Sequence, residues 1–187
     1  MRLKMLASAT LLAAPLMLLG ANAGAGEFSA TFSGFEEVGG LNNETGAIFS
    51  LGKGTLDLDI NRSARTIAFK LTYSGLSAPV TQSHIHFGKR HVPGGILVWF
   101  CSNLPSPPTP SGTQSCPSGV GTVATPVTGT ITSANVMGPA AQHISPGDFD
   151  ALVAAIESNT AYGNVHTMNF PAGEIRGQVR RGDVDDR

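Results

Sequence analysis

The sequence predicts an all-β domain, an antiparallel β-sandwich with Greek-key-like connections, carrying one short accessory helix near residues 146–158. Three observations lead there. The dominant hydrophobic period is two: Leu56 to Ile60 and Ile67 to Tyr73 alternate strictly, which puts Ile67, Phe69, Leu71 and Tyr73 on one face. Glycine and proline are frequent, 23 and 12 in 187 residues, as many short elements joined by turns require. Only one segment repeats at helical spacing, Phe149, Leu152, Val153 and Ile156 at i, i+3, i+4 and i+7.

In chain order, Glu27 to Phe32 reads as a loosely alternating first strand, and Asn61 to Arg65 as the hairpin connection between the two strict ones. Further strands are expected at Ser83 to Gly88, Ile96 to Cys101, Gly121 to Ile131, Tyr162 to Met168 and Glu174 to Arg180. Ile96 to Phe100 is continuously apolar and reads as a central strand covered on both faces. The helix is expected to start with Ser145 as N-cap, Pro146 at its first position and Asp148 in the first turn. Residues 181–187 read as a frayed tail.

The length suits one domain and excludes a TIM barrel. With 41% apolar and 13% charged residues the chain can bury a core. A formal net charge of −1 leaves no cationic field for a phosphate backbone, so no nucleic-acid partner is expected.

Residues 1–23 read as a secretory signal peptide: Arg2 and Lys4, an uncharged run from Met5 to Gly20, then the small-x-small pattern Ala21-Asn22-Ala23. Residues 24–187 then form a single mature β domain, secreted or periplasmic, with no transmembrane segment after cleavage. In such an oxidising compartment Cys101 and Cys116 are expected to pair, closing a Pro-rich loop over 101–116. A cysteine-containing metal site is the competing reading, and one pair without C-x-x-C spacing is weak evidence for it.

The candidate chemistry lies in histidines. His84 and His86 sit at i and i+2 of one strand, so both project from one face, with bases roughly 7 Å apart, and two imidazoles can converge on an ion. His166, in Asn164 to Thr167, can present a third from another strand, facing outward with the pair. Glu174, beyond the Pro171-Ala172-Gly173 turn, and His91, in a loop able to fold back over the site, are candidates for a fourth ligand. His143 reads as a surface residue. The same residues also fit a polar cross-strand cluster of hydrogen-bonded imidazoles, with Glu174 paired to Arg176 or another cation. No G-x-S-x-G elbow or P-loop occurs, and Asp57 and Asp59 alternate as a solvated sheet face, so no residue is assigned a catalytic role.

Five segments follow in order: Phe28-Ser29-Ala30 to Gly34 with Glu37, Tyr73-Ser74-Gly75-Leu76, His84-Ile85-His86-Phe87-Gly88, Tyr162 to Thr167, and Pro171 to Gln178. Together they resemble the CHRD domain, named from chordin and found in exported microbial proteins. The chain departs from that pattern after Glu37, where the family's prolines are missing, and the 101–116 loop is an elaboration. The resemblance implies a β-rich exported domain; chordin's growth-factor binding is not carried over. More loosely, HxH on one strand with a distant V-H strand is similar to the copper ligation of copper-zinc superoxide dismutase, which would make His84, His86 and His166 copper-type ligands. No bridging histidine or zinc-loop Asp accompanies them, so dismutase activity is not implied. Two functions remain: a non-catalytic binding or structural module of the envelope or extracellular space with a protein or glycan partner, and a copper- or zinc-binding protein.

Overall fold

The computed structural model describes residues 25–39, 46–121 and 125–182, so the expected signal peptide lies outside the described residues. Strands β1 (Ala25–Ser33), β2 (Lys53–Asn61) and β3 (Thr66–Ser74) form a continuous antiparallel meander. They form because alternation lets each strand bury one face. In β2, Leu56, Leu58 and Ile60 are buried while Asp57 and Asp59 face solvent, as read from the sequence.

β4 (Val80–Phe87) and β5 (Gly95–Ser102) make a second hairpin, followed by β6 (Val127–Ile131) and helix α1 (Phe149–Glu157). β7 (Ala161–Thr167), β8 (Ile175–Gln178) and the short β9 (Arg180–Arg181) complete the described elements. All pair antiparallel in one sheet of order β5-β4-β7-β8-β1-β2-β3-β6, with β9 added to β1. The expected two layers are thus two halves of a single sheet curled on itself. Its end strands β5 and β6 approach each other, and the Phe69 ring of β3, beside β6, lies 4.8 Å from the Phe100 ring of β5. The 101–116 loop spans the gap: Ser102 N–H donates to Gln114 O, and Gln114 Nε2 donates to Thr128 O of β6. The halves meet closely where Phe32 of β1 packs on Gly163 and Gly177, paired across β7 and β8. A Cβ at either glycine would come within 2.5 or 2.6 Å of the ring.

Three expectations are corrected. The continuously apolar β5 ends the ladder instead of lying at its centre. Its outer edge is sealed without a strand, by Met137 N–H on Leu97 O and by Gly95 N–H on Gln142 Oε1. The strand buried along its whole length is β7. The helix begins three residues later than read, because Gly147 adopts φ +84° in a preceding turn and Asp148 is the N-cap, accepting from Ala151 N–H at 2.9 Å. The tail does not fray from Arg181: β9 pairs with Phe28 and Ser29, and the Arg181 guanidinium lies 5.0 Å from the Phe28 ring centroid. Residues 183–187 lie outside the described residues.

Cys101 and Cys116 are joined, their Cα atoms 5.0 Å apart. Both are buried, and Asn103 bridges the loop by donating to Val80 O and Cys116 O and accepting from Cys116 N–H. Replacing both cysteines with serine is expected to cost about 3 kcal/mol, the closure entropy of a loop this long. Urea unfolding measures it, and an unchanged midpoint would show that the loop is ordered without the bond.

Candidate metal centre

The site grows from the register of four neighbouring strands. β4 and β7 pair with Gln82 opposite His166, His84 opposite Asn164 and His86 opposite Tyr162. Since residues two apart share a face, these side chains lie together, and the face extends to Trp99 of β5, opposite His84, and to Arg176 of β8, opposite Asn164. Ile85 and Val165 point the other way and are wholly buried.

His84, His86 and His166 offer one nitrogen each, and these atoms all lie within 4.8 Å of one another. The His84 ring is 5.3 Å from the His86 ring and 5.0 Å from the His166 ring, centroid to centroid. The expected outward face is in fact covered: the three side chains are 1%, 8% and 6% exposed. Trp99 meets the His84 ring edge-on at 4.2 Å, and Tyr162 stacks on His86 at 4.7 Å with parallel planes. The 88–94 loop does fold back, though it contributes carbonyls and not His91.

The hydrogen bonds set the tautomers. His166 Nδ1 lies 2.9 Å from Pro171 O and His86 Nδ1 3.0 Å from Gly94 O. A carbonyl can only accept, so each Nδ1 carries the proton and each Nε2 lone pair is left for another partner. His86 Nε2 lies 3.1 Å from Asn164 Oδ1, itself an acceptor, so with Nδ1 protonated the Asn164 amide must turn its NH2 toward that lone pair, while His166 Nε2 faces no partner. His84 has neither nitrogen hydrogen-bonded. Burial holds all three imidazoles neutral at pH 7, lowering His86 and His166 to about 4. His84 is lower still, at about 2, through burial and then the neighbouring His166 and His86. Neutral imidazole is the form that binds a metal.

The remaining candidates do not join this trio. Glu174 is wholly buried and its carboxylate is satisfied elsewhere, by Ser50 Oγ at 2.6 Å, Ser77 N–H at 2.9 Å, Ser77 Oγ at 2.8 Å and Thr167 Oγ1 at 2.7 Å. Nor does it pair with Arg176, whose Nη2 donates to Lys89 O and Val92 O. His91 is exposed, at φ +60°, with Nε2 3.2 Å from Glu36. Glu36 also takes Arg90, which holds its carboxyl below the ordinary range. His143 is exposed, as read.

Trp99, Tyr162, Asn164 and Arg176 also belong to the site, beyond the histidines that the sequence pattern marks. Tyr162, Asn164 and His166 stand at i, i+2 and i+4, so period two could have found the first two. Trp99 was hidden by its apolar neighbours. Arg176 depends on the β7–β8 register, which local pattern does not specify.

Among known proteins, no curated protein and no solved structure matches the chain. The family model for the CHRD domain matches residues 28–179, from the first strand through the strand that carries Arg176, and so includes all three clustered histidines. The chain therefore belongs to the CHRD domain family.

Proposed function

We propose that this chain is an exported protein whose β domain binds a single copper or zinc ion through His84, His86 and His166. One observation carries the reading. Three buried imidazoles converge with nitrogens that no protein group satisfies, two of them at His84 and one at His166. A purely structural cluster would pair those nitrogens, since each buried polar group without a partner costs about 1–3 kcal/mol. An ion would take the lone-pair nitrogen of His84 and Nε2 of His166, leaving only the N–H of His84 without a partner, and carbonyls behind Nδ1 of His86 and His166 hold the proton on the far nitrogen as the outer contacts of metal-bound histidines do. The leader-like residues 1–23 and the Cys101–Cys116 bond support export. No helix among the described residues is long and apolar enough to cross a membrane.

The test is to express the chain with its leader, purify it after export and read the mature N-terminus, expected at Gly24. Bound metal is then counted, and Cu(II) and Zn(II) are titrated while thermal stability is followed. One equivalent should bind. At a thousandfold excess over Kd it should stabilise the wild type by about 4 kcal/mol, and His84→Ala and His166→Ala should lose that gain. Failure of the wild type to bind Zn(II) or copper of either valence, Cu(I) being offered anaerobically, in a non-chelating buffer would overturn the reading.

A second reading, a non-catalytic module for a protein or glycan partner, is favoured by a separate feature. Phe35, Phe49 and Leu51 are 63%, 86% and 80% exposed, and the two rings meet edge to face.

A further inference from the structure

We propose that Arg176, a fixed cation stacked behind the histidine centre, makes that centre select monovalent copper over divalent ions. The inference rests on the metal-binding reading above and adds which ion the site prefers.

The Arg176 guanidinium carbon lies 3.3 Å from the centroid of the Tyr162 ring, and that ring stacks on His86 at 4.7 Å with 1° between planes. Cation, phenol and imidazole thus form one column ending on a proposed ligand. Arg176 is 2% exposed and makes no ion pair among the described residues. Its Nη2 is held by two backbone carbonyls and its Nη1 has no partner, so its charge is fixed in place and weakly screened. The nearest compensating acid is Glu37, itself buried, with Oε1 unpaired. Burial leaves that carboxyl only partly ionised near neutrality, raised to about 7.

The ligand set brings no negative charge. His84, His86 and His166 are neutral, and the carboxylate of Glu174 is held by four other donors. The penalty for burying an ion rises with the square of its charge, and its repulsion from Arg176 rises in proportion to that charge. Both favour a charge of one over two. Imidazole accepts either valence of copper as well as zinc, so ligand type does not override this. Cu(I) is also content with three ligands, the number this face supplies.

The experiment compares wild type, Arg176→Met and Arg176→Lys in the exported full chain. Cu(I) affinity is measured anaerobically against bicinchoninate, and Cu(II) and Zn(II) affinities against competing chelators. Arg176→Met should lower the ratio of Cu(I) to Cu(II) affinity about tenfold, equivalent to about 59 mV for a one-electron couple, and Zn(II) affinity should rise with that of Cu(II). Arg176→Lys, which keeps the charge, should stay near the wild-type ratio. A structural role would weaken all ions alike and leave the ratio unmoved. Should Arg176→Met not fold, Glu37→Gln at pH 8 carries the same test with opposite sign, because it removes the anion that offsets Arg176. An unchanged ratio in proteins that still bind metal would overturn the role of Arg176 and leave the metal site standing. No binding of any ion by the wild type would overturn the metal site itself.

Discussion

Acidifying the metal-free protein from pH 7 to pH 4 is expected to unfold it, with the steepest loss between pH 6.5 and 4.5. His86 and His166 fall from an ordinary value of 6.5 to about 4 in the fold, and His84 to about 2. Below pH 6.5 the unfolded chain therefore binds protons that the folded chain refuses, and stability falls as pH falls. Glu37 acts in the other direction. Burial raises it from 4.5 to about 7, so the folded state holds a proton that the unfolded state has released, which adds stability on the acid side of 7. Three histidines against one carboxyl leave a net uptake of roughly two protons on unfolding, or about 3 kcal/mol per pH unit. Over two units that is comparable with the whole stability of many domains. The single Trp99, edge-on to His84, reports the transition by fluorescence. A urea midpoint that stays level between pH 7 and 4.5 would show that the histidines are charged in the fold.

Glu174→Ala is expected to destabilise the protein by about 3–5 kcal/mol while leaving metal binding per folded molecule unchanged. The wholly buried carboxylate gathers Ser50 from the segment before β2, Ser77 from the segment before β4, and Thr167 at the end of β7. Truncation leaves these donors facing a void. Glu174→Gln keeps the shape, yet its amide nitrogen would confront donors, so it should lose less than Ala and still lose stability. Urea unfolding with metal counting separates a structural role from a ligand role for this residue. A variant that keeps its stability and loses its metal would return Glu174 to the ligand set.

The contrast between His84 and Glu174 shows how far local pattern reaches. His84 and His86 share a face because any strand with residues at i and i+2 does so, and the same rule brings His166 into line with Asn164 and Tyr162. Glu174 stands at the mouth of a hairpin, where a shift of one residue reverses the face, and its partners come from positions 50, 77 and 167. No local rule reaches that far. The helix start failed for a smaller reason, since Ser145 and Asp148 are both good caps and only the φ of Gly147 chooses between them.

Composition and periodicity by themselves determined the all-β fold, its main hairpin, the helix stripe and the disulfide pair, because each follows from backbone geometry or from a choice of one. Only tertiary structure decided that the sheet is continuous, that its histidine face is buried, and that Arg176 stands behind Tyr162 and His86. Those features depend on which strands become neighbours and in what register. That choice is made by the packing of the whole chain, through long-range pairs such as Asn164 with Arg176 and His84 with Trp99.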